Sequence, residues 1–147
     1  MEVRKAIAEE VKTLTQMSKH AFDSDVNVGA KEAGGPPNYD KEKWHVKMMK
    51  QGNLFTIIEN EEIVGGALLF LDGSSMYVAR IFIDPQFHRM GYGIKTMRLI
   101  EKLIPDIHIY NLDTPLWNVR TNQFYQKLGY QKVKTDKEFV YYQKTVA

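Results

Sequence analysis

The stretch Ile81-Phe82-Ile83-Asp84-Pro85-Gln86-Phe87-His88-Arg89-Met90-Gly91-Tyr92-Gly93-Ile94 carries most of the information about how this chain folds. Before it, Met76 to Ile83 is rich in β-branched and aromatic residues and predicts a strand, which Asp84-Pro85 closes. After it, Ile94, Met97, Leu99, Ile100 and Leu103 recur at helical spacing until Pro105 ends the helix. A strand therefore runs through a glycine-bearing turn into a helix. Such a turn leaves the first backbone N–H groups of the helix unpaired at the positive end of its dipole, which is an anion site. Gly91 and Gly93 let the main chain approach a ligand without a β-carbon between, so a pyrophosphate would be held by N–H donors from about Arg89 to Ile94, with Arg89 and Lys95 adding charge. The plainer alternative is a tight turn whose glycines serve geometry alone. The Gly-Lys-Ser/Thr ending of a Walker A loop is absent, and the three-glycine fingerprint of a dinucleotide-binding unit does not fit.

Working outward, Leu54 to Glu59 and Ile63 to Leu71 read as strands joined by Asn60-Glu61-Glu62, and Asp72-Gly73-Ser74 turns the second into Met76 to Ile83. This is a three-stranded antiparallel meander. Downstream, Asp106 to Leu112 alternates apolar and polar residues and suits a strand parallel to the one before the helix, reached by a right-handed crossover. Asn118 to Leu128 is a further helix capped by Gly129, and Tyr130 to Val133 and Glu138 to Lys144 form a last pair of strands. At the other end, Ala8 to Phe22 has one apolar stripe and predicts a first helix. Gly29, Gly34, Gly35, Pro36 and Pro37 make 23–38 a long loop, a lid or substrate segment by its length. A second helix, capped by Asn38 or Asp40, continues to about Lys50.

Composition sets outer limits. The 147 residues carry 20 Lys or Arg and 18 Asp or Glu, a net charge of +2, with 44% hydrophobic and 26% charged residues. That length suits one domain, 1–147, with a core large enough to need no staple. There is no cysteine, which excludes disulfides, thiolate metal centres and thiol nucleophiles, and no metal site is expected. The charges are dispersed, without a basic run or an aromatic stacking ribbon, so nucleic acid is not an expected partner. The longest apolar run, Ile63 to Leu71, is too short to span a bilayer and the N-terminus lacks a signal-peptide core. A cytoplasmic protein without membrane attachment is expected.

The chain resembles the GNAT superfamily of acyl-CoA-dependent N-acyltransferases. The resemblance rests first on Ile83-Asp84-Pro85 followed by His88-Arg89-Met90-Gly91-Tyr92-Gly93, which is similar to the family's Gln/Arg-x-x-Gly-x-Gly/Ala segment; His88 stands where the family usually has Gln or Arg. A second segment agrees independently: Asn118 lies seven residues before Tyr125, with Gly129 and Tyr130 after it. The order of elements also matches over nearly the whole chain. The fold this implies is α/β (α+β), a GNAT-type mixed, mostly antiparallel twisted sheet of six to seven strands flanked by about four helices.

The resemblance further implies acetyl-CoA as cosubstrate and transfer of its acetyl group to a primary amine of a small molecule, amino-acid-like amines included, by direct attack in a ternary complex. No cysteine is needed for that. By the same resemblance the backbone of Ile81, Phe82 and Ile83 would bind the pantetheine arm like an added strand, and His88, Arg89, Met90, Gly91, Tyr92, Gly93 and Ile94 would cradle the pyrophosphate. Tyr125 would act as general acid toward the departing thiolate, or else be a core aromatic beside Leu128. Asn118 would bind the pantetheine amides, fix the loop, or simply cap its helix. Glu59, His108, Asp113 and His20 are candidates for a general base. Arg80, charged and set between Ala79 and Ile81, must face a cavity or an anionic partner. The acidic residues of 23–38 would favour an amine and Arg80 an anionic group, a pair of demands that a zwitterion meets. Aromatics at Phe139, Tyr141 and Tyr142 would permit strand pairing into a homodimer. The alternative from another class is a non-catalytic CoA-binding or protein-interaction module with the same fold.

Overall fold

Alternating burial lays the central strands into one mixed sheet. In the computed structural model, which describes residues 1–146, the chain runs β1 (Glu2–Lys5), α1 (Val11–Asp23), α2 (Glu42–Lys50), β2 (Leu54–Glu59), β3 (Glu62–Asp72), β4 (Ser75–Ile83), α3 (Tyr92–Leu103), β5 (Ile109–Pro115), α4 (Val119–Lys127), β6 (Gln131–Thr135) and β7 (Phe139–Thr145). The seven strands stand in the order β1-β2-β3-β4-β5-β7-β6. All neighbours are antiparallel except β4 and β5, the pair separated by the α3 crossover. This is the fold class expected from the sequence. Among the described residues no helix is long and apolar enough to cross a membrane.

Each face of the sheet carries its own core. Ala67, Leu69, Met76, Val78, Tyr110 and Leu112 point to one side, where Met97 and Ile100 of α3 pack against them. Both of those helix residues are fully buried, and each contributes roughly 1.5–3 kcal/mol of apolar burial. Leu68 and Phe82, one position out of phase, join Leu14 and Met17 of α1 and Met48 of α2 on the other side. The period of two along β3 thus sorts neighbours into separate cores.

The site is positioned by the way β4 leaves β5. Their parallel pairing is confined to Ser75, Met76 and Tyr77 against Ile109, Tyr110 and Asn111. Immediately afterwards β4 bulges: Leu69 lies opposite Val78 and Leu68 opposite Arg80, so Ala79 is the extra residue. A bulge bends its strand and increases the local twist. From Val78 to Ile83 the β5-facing edge of β4 is unpaired, and a V-shaped crevice opens toward the C-terminal ends of both strands.

Five departures from the sequence reading have physical causes. β1 is an additional strand whose only buried side chain is Val3, so it carries no apolar pattern to detect. The first helical segment begins as a 3-10 turn, Ala8–Glu10, in which the Glu10 carboxylate accepts from Arg4, Thr56 and the Ile7 N–H. Neither Asn38 nor Asp40 caps α2; Asn38 is in a left-handed turn (φ 64°) and Lys41 holds the N-cap position. β5 starts three residues later than Asp106, which is itself left-handed (φ 69°), although Ile107 is still buried. The aromatic edge expected at Phe139, Tyr141 and Tyr142 is not an edge: β7 lies between β5 and β6 and Tyr142 is buried, so strand pairing through it is ruled out.

Candidate active site

The glycine turn before α3 leaves a row of backbone donors free. Arg89 and Gly91 are both left-handed (φ 67° and 75°), a conformation that glycine adopts without strain and that here turns the chain sharply into the helix. No carbonyl or side-chain acceptor among the described residues meets the N–H groups from Arg89 to Ile94. A β-carbon on Gly91 would find nothing within 4 Å, so the space over the loop is open. Gly93 differs: its missing β-carbon would lie 3.2 Å from the ring of Phe124, so this glycine lets α3 and α4 approach. His88 donates from Nε2 to the Ile83 carbonyl at 2.8 Å and ties the turn to the end of β4. The Lys95 ammonium is paired with Glu59 at 3.3 Å, whereas Arg89 is exposed. The open space and the row of unpaired donors fit a pyrophosphate.

Across the crevice, Asn118 caps α4, its Oδ1 accepting from Thr121 N–H at 3.1 Å. The side chain is almost wholly buried, so the capping role is realised. Tyr125, two turns further along, packs edge-on against Phe124 and Tyr130 and tilted on Tyr142. Burial, with the Asp113 charge adding to it, pushes its phenol up to about 12. That makes it a weaker acid than a thiol by about 5 kcal/mol. It remains protonated through the physiological range and is suited to donating a hydrogen bond rather than surrendering its proton.

On the α1/α2 face the splay forms a cavity of about 380 Å³, lined among others by Pro37, Trp44, Tyr77, Arg80, Asp113 and Tyr141. The Tyr77 hydroxyl donates to Asp113 Oδ2 at 2.8 Å, and burial together with this bond raises the Tyr77 phenol far above its ordinary value. Arg80 lies over the Trp44 ring at 4.4 Å and donates from Nη2 to the Pro37 carbonyl at 2.6 Å. The 23–38 segment is therefore drawn over the cavity by its proline turn. Its first part is not irregular: Ser24–Val28 is a 3-10 helix, and Gly29 rests against Trp117 in the approach to α4. Burial pushes the Asp25 carboxyl up to about 6, with Arg120 drawing it back.

The base candidates separate clearly. Glu59 is committed to Lys95. His108 precedes β5 at the paired end, away from the opening, where its carbonyl accepts from Val146. His20 is exposed, with Nδ1 3.6 Å from Asp84. Asp113 alone of the four lines the cavity. Tyr77 and Trp44 were not singled out in the sequence; their only signal was aromatic character, which is equally a core signal. Among the described residues no cluster of three or more His, Asp or Glu could hold a metal.

Comparison with known proteins bears on this geometry. Residues 15–130 match the model of a family described as the acetyltransferase (GNAT) family. An uncharacterised Bacillus subtilis protein, YrkN, is 25% identical over 84 residues, a stretch covering 55% of this chain and 45% of that protein. Among solved structures, the PaiA N-acetyltransferase of Thermoplasma acidophilum in complex with coenzyme A superposes with a TM-score of 0.80 at 17% identity, covering 99% of this chain and 98% of its own. A GNAT-family acetyltransferase from Streptococcus agalactiae gives 0.84 at 19%, over 99% and 95%. The ribosomal-protein-S18-alanine N-acetyltransferase of Escherichia coli gives 0.69 at 14%, over 99% and 94%.

Proposed function

We propose that this chain, which belongs to the acetyltransferase (GNAT) family, is an acetyl-CoA-dependent N-acetyltransferase acting on the primary amine of a small molecule. The observation that carries the reading is the unpaired N–H row from Arg89 to Ile94 standing beside an open strand edge and a protonated tyrosine. Acetyl-CoA supplies an activated acyl group as a thioester. The loop from Arg89 to Ile94 holds the pyrophosphate through main-chain donors, with His88 bracing it through its bonds to Pro85 and Ile83, and the free edge of Ile81, Phe82 and Ile83 holds the pantetheine amides. Asn118 keeps the entry to α4 fixed by capping it. Tyr125 donates a hydrogen bond to the sulfur as the carbon–sulfur bond breaks and the carbon–nitrogen bond forms. Asp113 accepts the proton that the amine loses.

We take residues 1–147 to form one domain that works in the cytoplasm. Calorimetry with acetyl-CoA and with desulfo-CoA tests the first half of this reading, since binding of neither eliminates it. The second half is tested by release of free thiol on mixing acetyl-CoA with amine acceptors; acylation of hydroxyl acceptors only would overturn it.

A further inference from the structure

We propose that the acceptor is an amine bearing a carboxylate, of the amino-acid class, and that Arg80 is the residue that selects the carboxylate. This rests on reading the chain as an N-acetyltransferase. Arg80 is a half-buried cation with no Asp or Glu in ion-pair range among the described residues. Its Nη1 is buried without any acceptor, and its Nη2 is satisfied only by the neutral Pro37 carbonyl. A guanidinium nitrogen shut off from water without an acceptor is costly, and an arriving anion would complete it. Among the described residues none supplies that anion.

The shape of the fork narrows the partner. The planar guanidinium presents parallel N–H donors that match a carboxylate two-to-two, and such charge-assisted pairs are about twice as strong as a bond to a neutral carbonyl. A carboxylate therefore outcompetes Pro37 for the head group. The Trp44 ring, its centroid 4.4 Å from the guanidinium carbon, backs the head group from one side. Asp113 lines the same cavity and carries the opposite charge. A zwitterion satisfies both, its carboxylate at Arg80 and its amine at Asp113. A volume of about 380 Å³ lies toward the lower end of small-molecule sites, which run from about 300 to 1,000 Å³. Tyr77 and Tyr141 line the same cavity, and aromatic walls suit an apolar or aromatic side chain on the acceptor.

The test is equilibrium binding to the protein saturated with coenzyme A, which forms a complex without turnover. Matched trios are titrated, each an L-amino acid, its α-carboxamide and its decarboxylated amine, for example phenylalanine, phenylalaninamide and phenethylamine. Five trios span small, aliphatic, aromatic, acidic and basic side chains, with the aminophosphonate counterparts as a further arm. In at least one trio the free acid is expected to bind about tenfold tighter than the other two members. Arg80→Gln is expected to bring the acid down to the affinity of its amide while leaving the affinity for coenzyme A unchanged, which also shows that the variant is folded. Arg80→Lys is expected to keep part of the preference. Equal affinities within every trio, no binding by any free acid, a preference that survives Arg80→Gln, or tighter binding of the aminophosphonates each overturns the assignment. Failure of the wild-type protein to bind coenzyme A breaks the acetyltransferase reading itself and the proposal with it, a result distinguishable from a coenzyme A complex that ignores the carboxylate.

Discussion

On the loop side of the crevice the free donors are main-chain N–H groups of one continuous segment, Arg89 to Ile94, whereas the cavity side assembles side chains from α2, β4, β5 and β7. The first arrangement can be written into six neighbouring residues, because backbone donors need only a turn that exposes them. The second exists only when Trp44, Arg80, Asp113 and Tyr141 are brought together by the sheet. A donor-binding loop can therefore persist unchanged while the cavity wall is altered residue by residue. On the proposed reading the loop sets what is carried and the cavity sets what receives it.

The strongest way to break this contrast is at Gly91. Valine there must adopt φ 75° and would place a branched side chain in the open space above the N–H row. Affinity for acetyl-CoA measured by calorimetry is expected to fall by about 100-fold or more, since both the backbone geometry and the space for the pyrophosphate are lost. Unchanged affinity would place the pyrophosphate elsewhere.

Tyr125 tests the junction of the two sides. Tyr125→Phe is expected to lower kcat by about 100-fold, the lower end of the range for losing one donor to developing charge, with little change in the affinity for acetyl-CoA. Because the phenol lies at about 12, it stays protonated below pH 10 in the wild type. The shape of the pH–rate profile between pH 6 and 10 is therefore expected to be the same in both proteins, only lower in the variant. An alkaline limb that disappears with the hydroxyl would mean that Tyr125 titrates in that range and transfers its proton outright.

Asp25 sharpens the comparison from the segment that bridges α1 and the start of α4. Its carboxyl is raised to about 6 by burial, so the native state favours the protonated form. Stability contributed by that preference is complete below the unfolded value near 4 and is lost as the pH rises through about 6. Asp25→Asn is thus expected to stabilise the protein by about 1–2 kcal/mol at pH 7.5 and to leave it nearly unchanged at pH 4, read from urea midpoints. Destabilisation at pH 7.5 would reveal a counter-charge for the carboxylate.

The same contrast explains which parts of the structure could be read in advance. The meander β2 to β4, the crossover helix α3 and the cap at Asn118 each announce themselves locally, through alternation, helical spacing or a capping residue before a helix. β1 does not, because Glu2, Arg4 and Lys5 surround its single inward residue and only pairing with β2 makes it a strand. The bulge at Ala79 is equally silent, since nothing in Val78-Ala79-Arg80 marks an extra residue until β3 is laid beside it. Yet that bulge swings Arg80 to the cavity and parts β4 from β5. The charge at Arg80 could be flagged as needing a partner, whereas Trp44 and Pro37, its actual contacts, lie more than thirty residues earlier and cannot be inferred from spacing. Gly93 misleads in the opposite sense: it fits the loop motif, but its local surroundings give it a packing role against Phe124.

Gly93 therefore gives the smallest and most discriminating prediction. An alanine in the first turn of α3 gains about 1 kcal/mol of helix propensity over glycine. Against this, its β-carbon would lie 3.2 and 3.3 Å from two atoms of the Phe124 ring, so the ring must give by a few tenths of an ångström. These opposing effects leave the stability of Gly93→Ala within about 1 kcal/mol of the wild type, as measured by urea denaturation. The N–H of residue 93 is retained, and the new methyl points toward α4 rather than over the loop. Affinity for acetyl-CoA is accordingly expected to change by less than about threefold, equivalent to well under 1 kcal/mol. A loss comparable to that at Gly91 would mean that the pyrophosphate reaches between α3 and α4, and that both glycines serve the ligand rather than one serving the ligand and the other the fold.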